Sequence, residues 1–304
     1  MQTRREFLQQ SSLAAAAAAV TLGSAGVALG AEPSAPAKTP SIRKAIMFAT
    51  VGVPGSVLEK MKAVKAAGFE GVEPMSHMDQ EEVVQALRAT GLQAASVCCA
   101  THWHDTLTHP SEAVREKGLQ GLLQSLKDAK RYGATSVLLV PGVVNREVSY
   151  ADAWTRSIAQ IRKAVPLAEE LGVRIAIENV WNNFLLSPLE AARFVDEFKS
   201  PSVGWHFDVG NVIHYGWPEQ WIQVLGKRIS RLHIKEYSRA KSDKQGKGAG
   251  FDVKFLEGDN NWPAVMKALA DVGYTGWGIA EQGGGGSPEG LKDLADRMDK
   301  IFAS

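Results

Sequence analysis

From residue 41 onward, short runs of β-branched or apolar residues alternate with longer stretches in which apolar side chains recur every three or four positions. The first pattern predicts strands and the second predicts amphipathic helices. Strands are predicted at 45–51, 71–74, 94–100, 136–140, 174–178, 204–208, 231–235 and 278–281. Helices are predicted at 57–67, 80–90, 111–132, 150–171, 188–198, 218–225, 262–272 and 288–302. Several helical stretches run into a glycine that opens the turn to the next strand: Gly68, Gly91, Gly133, Gly172 and Gly273. Glycine is the residue expected just past a helix C-terminus. Eight β-then-α units follow one another with no break in composition, which predicts a parallel sheet covered by helices. The count of eight and the lack of a Gly-x-Gly-x-x-Gly turn after the first strand favour an α/β fold of the (β/α)8 TIM-barrel type over an open doubly wound sheet.

The first 40 residues do not share this pattern. Thr3-Arg4-Arg5-Glu6-Phe7-Leu8 is a twin-arginine pattern, followed by an Ala-rich apolar run from Leu13 to Leu22 and small residues around Ala28-Leu29-Gly30-Ala31. That order predicts a cleavable twin-arginine signal peptide over residues 1–31, and hence export to the periplasm or another extracytoplasmic space. The run is too short and too rich in Ala to be a convincing membrane span. Residues 32–40, rich in Pro and Ala, read as a linker, leaving 41–304 as one barrel domain.

The chain carries 34 Lys and Arg against 33 Asp and Glu, spread along its length. No basic stripe invites nucleic acid and no charge run suggests a tail. No further apolar run is long enough for a membrane. The expected partner is therefore a small molecule, with a homo-oligomer as the protein-level assembly left open. The two cysteines, Cys98 and Cys99, are adjacent and lie in an apolar run, so they are expected to be buried thiols rather than a disulfide.

In such a barrel the chemistry sits at the C-terminal ends of the strands. The fifth predicted strand ends in Glu178 and the sixth in Asp208; the seventh carries His233 and the eighth ends in Glu281. Three carboxylates and an imidazole converging on one rim would repel without a cation between them. Three oxygens and one nitrogen are a moderately hard donor set, which favours one divalent Mn2+ or Mg2+, with Co2+ and Zn2+ as alternatives. Lys235 follows two residues after His233 on the same face and is a candidate substrate contact. Trp181 could shape a sugar pocket, and His102 lies in a loop at the correct rim. His206 and Glu236 are expected to face away from the ligands, and residues 239–250 to form an open loop that could act as a lid.

The motifs Ile175-Ala176-Ile177-Glu178-Asn179, Gly204-Trp205-His206-Phe207-Asp208-Val209-Gly210-Asn211, Arg231-Leu232-His233-Ile234-Lys235-Glu236 and Tyr274-Thr275-Gly276-Trp277-Gly278-Ile279-Ala280-Glu281 resemble those of the xylose isomerase-like barrel superfamily of sugar isomerases and epimerases. The resemblance spans residues 41–304. It implies that Glu178, Asp208, His233 and Glu281 are metal ligands, that Glu178 and Glu281 are the acid/base pair on opposite faces of the substrate, and that Arg239 touches a substrate oxygen. Members of the superfamily usually carry His three residues after the sixth-strand Asp, where this chain has Asn211, a candidate substrate contact. Asp252-Val253-Lys254 stands where the abasic-site endonucleases of the superfamily have an Asp-x-His pair, which argues against a three-metal nuclease site. The expected activity is isomerisation or epimerisation of a sugar by proton transfer next to a keto group, through an enediolate. A lyase acting on a 3-keto glycoside is the alternative, and a non-catalytic sugar-binding protein a third reading.

Overall fold

The computed structural model describes residues 41–304; the predicted signal peptide and linker lie outside them. Nine strand segments form one parallel sheet: β1 (Ile42–Met47), β2 (Gly71–Glu73), β3 (Gln93–Ala94), β4 (Val97–Cys98), β5 (Ser136–Leu139), β6 (Arg174–Glu178), β7 (Val203–Asp208), β8 (Ile229–Ile234) and β9 (Gly276–Ala280). Their order is β3-β2-β1-β9-β8-β7-β6-β5-β4. The two ends of that order are two pieces of the third predicted strand. β3 pairs with β2, β4 pairs with β5, and a bridge from Met75 to Cys98 brings the ends together. The result is a TIM barrel with its third strand broken. At the break the Ala95 carbonyl accepts the Arg231 guanidinium at 2.6 Å, and Ser96 Oγ donates to the Ser136 carbonyl of β5 at 3.2 Å.

Ten helices follow the strands among the described residues: α1 (Val57–Ala66), α2 (Gln80–Thr90), α3 (Glu112–Tyr132), α4 (Tyr150–Leu171), α5 (Pro188–Asp196), α6 (Gly210–Ile213), α7 (Pro218–Leu225), α8 (Arg239–Gln245), α9 (Trp262–Asp271) and α10 (Pro288–Phe302). Local chemistry sets their limits. Ser56 and Glu59 form a reciprocal capping box at the start of α1. Gly91 and Gly172 end α2 and α4 in the left-handed conformation that a side chain resists. Residues 239–250, expected as an open loop, are instead α8 and most of a 3-10 turn (Lys247–Phe251).

The main core lies between the sheet and the helices, where outward strand residues such as Ile46, Ile177, Phe207 and Leu232 are fully buried. A smaller cluster of Ala45, Ala95, Trp277 and Ile279 is separate from it. Gly71 makes room for the Trp277 ring: a Cβ there would lie 2.7 Å from it. Strand side chains alternate with period two, so one face of β7, β8 and β9 presents His206 and Asp208, then Arg231 and His233, then Trp277 and Ile279. Lys235 and Glu281 continue that face just past the ends of β8 and β9.

Candidate active site

The C-terminal mouth of the barrel opens into a cavity of about 230 Å3 whose wall includes Glu178, His233, Lys235 and Glu281, with Asn211, Trp181 and His102. Asp208 is fully buried beside them. Donor atoms of Glu178, Asp208, His233 and Glu281 all lie within 4.8 Å of one another. The four strand-end residues picked from the sequence therefore share one point in space. His233 Nδ1 is 2.9 Å from Glu178 Oε1 and 2.9 Å from Glu281 Oε2. Lys235 Nζ donates to Glu281 Oε2 at 2.9 Å and to Asp208 Oδ2 at 3.3 Å.

Neighbouring loops aim these groups. The Asn179 side chain ties the end of β6 to the end of β7: Nδ2 donates to the Asp208 carbonyl, and Oδ1 accepts from the Asp208 N–H and Trp205 Nε1. Asp208 Oδ1 accepts the Asn211 backbone N–H at 2.8 Å. His102 Nδ1 accepts the Val140 N–H at 3.1 Å, which leaves the ring proton on Nε2. Burial pushes His102 down to about 4, so it stays neutral at ordinary pH. The loop that carries it packs on α3 because residue 121 is Gly; a Cβ there would meet Thr101 Oγ1 at 2.0 Å.

The electrostatics fit a cation. Burial pushes Glu178 up to about 7 and Asp208 up to about 6. Burial also opposes charge on Glu281, but Lys235 and His233 overcome it and hold that carboxyl low. His233 is raised well above the ordinary range, with Glu281, Glu73 and Glu178 outweighing its burial. Among the described residues Glu73, Glu178, Asp208 and Glu281 touch only Lys235 and His233 as cationic side chains, with Arg231 acting on Glu73 from further off, so acidic groups outnumber cations in the cluster. One divalent ion supplies positive charge, and these oxygen and imidazole donors suit one. Glu178, Asp208, His233 and Glu281 are thus the residues that could hold it.

Three placements differ from the sequence expectations. Glu73, at the end of β2, was not singled out, yet it is fully buried and its Oε2 lies 3.0 Å from His233 Nε2. The signal was available, since β2 also ends in a carboxylate. His206 does not turn away from the ligand face: its ring centroid is 4.2 Å from that of His233. It stands two residues before Asp208, and period two puts both on one face. Burial holds it neutral, well below the usual range, and neither ring nitrogen has a hydrogen-bond partner among the described residues. Arg239 does not line the cavity; its guanidinium donates to the Ile213 and Gly216 carbonyls and packs over Trp217. Glu236 does face away, and its carboxylate accepts from Leu256 N, Asn260 N and Trp262 Nε1, fixing the loop before α9.

Residues 61–301 match the family model described as xylose isomerase-like TIM barrel. The chain belongs to the xylose isomerase-like TIM barrel family. One curated relative is the 2-epi-5-epi-valiolone 7-phosphate 2-epimerase of an Actinoplanes species, 29% identical over 155 residues. That match spans 50% of this chain and 56% of the relative, so it covers only about half of either. The putative L-ribulose-5-phosphate 3-epimerase SgbU of Escherichia coli K12 is 25% identical over 72% of this chain and 80% of its own length. Among solved structures, a D-psicose 3-epimerase with D-tagatose from Clostridium cellulolyticum H10 superposes with a TM-score of 0.71 at 16% identity, covering 86% of this chain and 99% of that one. The 3-keto-D-glucoside 4-epimerase YcjR of E. coli gives 0.71 at 17%, covering 87% and 100%. At those identities the structures establish the shared barrel alone.

Proposed function

We propose that this family member is a divalent-metal-dependent sugar isomerase of the epimerase type. The observation that carries the reading is the convergence of Glu178 and Glu281, from strands three places apart around the barrel, on the floor of one small cavity. One carboxylate removes the carbon-bound proton next to the keto group of the sugar. The other returns a proton from the opposite face, which inverts that carbon. Lys235 and the Nε2–H of His102 are within the same cavity wall and serve to hold substrate oxygens as charge develops on them. A divalent cation, Mn2+ or Mg2+ by preference, supplies Lewis-acid chemistry there when bound. Trp181 offers a flat apolar face to the C–H side of the ring. The epimerase activities of the curated relatives favour the same chemistry.

The reading favours an unphosphorylated sugar. The adjoining cavity at the last two barrel loops holds Lys241 and Lys254, but also Asp252 and Glu257. Lys254 pairs with Asp293 at 3.2 Å, Lys241 bonds the Asp252 carbonyl, and Lys235, which also lines this cavity, pairs with Glu281 and Asp208, so each cation already has a partner. The Thr3-Arg4-Arg5-Glu6-Phe7-Leu8 segment supports action outside the cytoplasm. Replacing both arginines by lysine should leave the precursor inside the cell; unaltered export of that variant would remove this part of the reading.

The direct test is solvent exchange. The metal-loaded protein is incubated in D2O with ketohexoses and 3-keto sugars, and deuterium at the carbon beside the keto group is followed by NMR. Incorporation with inversion is expected, and it should vanish in Glu178→Gln and Glu281→Gln. A folded, metal-loaded protein that exchanges no proton on any of these sugars would end the proposal.

A further inference from the structure

Beside the catalytic cavity lies a second one, of about 310 Å3. The two share Val180, Trp181 and Asn211. The rest of the second wall is mainly Leu185, Leu186, Val212, Tyr215 and Trp221, and no charged side chain lines it. Its polar side chains largely have partners already. Asn211 Nδ2 donates to the Asn179 carbonyl, Asn183 Nδ2 to the Val144 carbonyl, and Trp181 Nε1 to the Asn211 carbonyl. The Asn179 amide is used within the β6–β7 tie. The wall therefore offers aromatic and aliphatic surface and few free groups for a hydroxyl-rich ring. Its shape is built in: the Asn182 amide donates to the Gly142 carbonyl, and the Leu185 N–H donates to Tyr150 Oη. At the mouth, Leu186 and Tyr215 are 65% and 62% exposed.

We propose that this cavity is a subsite for an uncharged aromatic aglycone. The substrate is then a glycoside: its sugar ring lies over Glu178 and Glu281, and its substituent crosses Trp181 into the side cavity. The inference rests on the sugar-isomerase reading for the ring and adds the class of substituent. The volume is about twice the ~150 Å3 of an apolar cavity that holds benzene, so a one- or two-ring group fits. Trp181 and Tyr215 are held as a pair, with Lys247 Nζ 4.1 Å from one ring and 4.4 Å from the other. A concave apolar site continuous with a catalytic cavity suits a small ligand better than the flat face of a second protein copy.

The test uses the metal-loaded protein, 4-nitrophenol at mildly acidic pH, where it is the neutral phenol, as a probe of the cavity alone, and the methyl and 4-nitrophenyl glycosides of one 3-keto sugar. Binding is read by ligand-observed NMR and calorimetry, and assembly by light scattering. The variants are Leu186→Ser and Tyr215→Ser, neither of which lines the catalytic cavity. The aryl glycoside should bind about tenfold tighter than the methyl glycoside. Both variants should erase that advantage and weaken 4-nitrophenol, while metal affinity and methyl glycoside binding stay unchanged. Equal binding of the two glycosides to the unaltered protein overturns the proposal. So does a dimer that the variants dissociate in a protein that never binds 4-nitrophenol. If 4-nitrophenol binds and the variants abolish it, yet no sugar exchanges protons, the cavity assignment survives and the isomerase reading falls.

Discussion

His233 is gripped from both sides. Nδ1 faces Glu178 and Glu281, and Nε2 faces Glu73 at 3.0 Å. A carboxylate behind a ligating imidazole fixes the ring and raises its basicity. Glu73→Gln keeps the shape and removes the charge, so metal affinity should fall about 10- to 100-fold, with the fold intact by circular dichroism. Unchanged affinity in a calorimetric titration would show that Glu73 does not orient the ring. A second prediction concerns pH. Unfolded, Glu178 and Asp208 titrate near 4.5 and 3.8; folded and metal-free, burial raises them to about 7 and about 6. Their contribution to stability is thus complete below the unfolded values and lost as pH rises through the folded ones. His233, also raised, acts in the same direction. Glu281 acts oppositely, but only at acid pH, because its folded value is low. The melting temperature of metal-free protein should therefore fall from about pH 5 to about pH 8, and added Mn2+ should restore it at the upper end. A flat or rising profile in the metal-free protein would contradict this. At this scale the sequence was informative where a strand end met a charged side chain, as at Glu178, Asp208 and Glu281. Glu73 is less legible because the predicted strand runs on to Pro74, which hides that the carboxylate ends β2. Arg239 was expected at a substrate oxygen from the resemblance alone; it begins α8, and its guanidinium is taken up by the Ile213 and Gly216 carbonyls.

Turns between elements set how closely the strands that carry the candidate metal ligands approach. Gly210, two residues past the end of β7, packs against the turn after β8. A Cβ on it would lie 2.7 Å from the Lys235 carbonyl oxygen and 2.8 Å from Lys235 Cβ. The contacted atoms are backbone or fixed to it, so they cannot swing aside. Gly210→Ala should push Lys235 away from Asp208 and Glu281. Overpacking of this kind costs about 1–3 kcal/mol, and the displaced ammonium should raise KM more than it lowers kcat. Thermal melts and steady-state kinetics check the two parts, and an unchanged melting temperature would show that the turn yields freely. Helices were the most legible elements, because a cap at one end and a glycine at the other bound an unbroken apolar period. The third strand was the least legible. Its run at 94–100 is continuous in the sequence, and the side-chain bonds at its break, Arg231 to the Ala95 carbonyl and Ser96 to the Ser136 carbonyl, join residues far apart in the chain.

For the whole molecule, the count of eight β-then-α units carried the barrel, but closure depends on pairing across the length of the chain. β1 joins β9 in the register Ile42↔Gly276 through Ile46↔Ala280, and β2 on its other side. Local pattern cannot supply that register. It is anchored at one end by the Gly276 N–H donating to the Ser41 carbonyl, and by Arg43 lying 3.8 Å over the Trp277 ring. β1 is therefore the one strand segment joining β2 to β9. A chain beginning at Ser41 keeps every strand and every residue of the site, so it should melt at the same temperature as the full chain and bind metal equally well. A chain beginning at Phe48 loses all of β1 and exposes two rows of unpaired backbone groups next to Glu73 and Glu281. That form should aggregate and lose metal binding. Size-exclusion chromatography and metal titration of the two truncations decide the point. If removing residues 1–40 were to unfold the barrel, the folding unit would extend beyond the strands that close it.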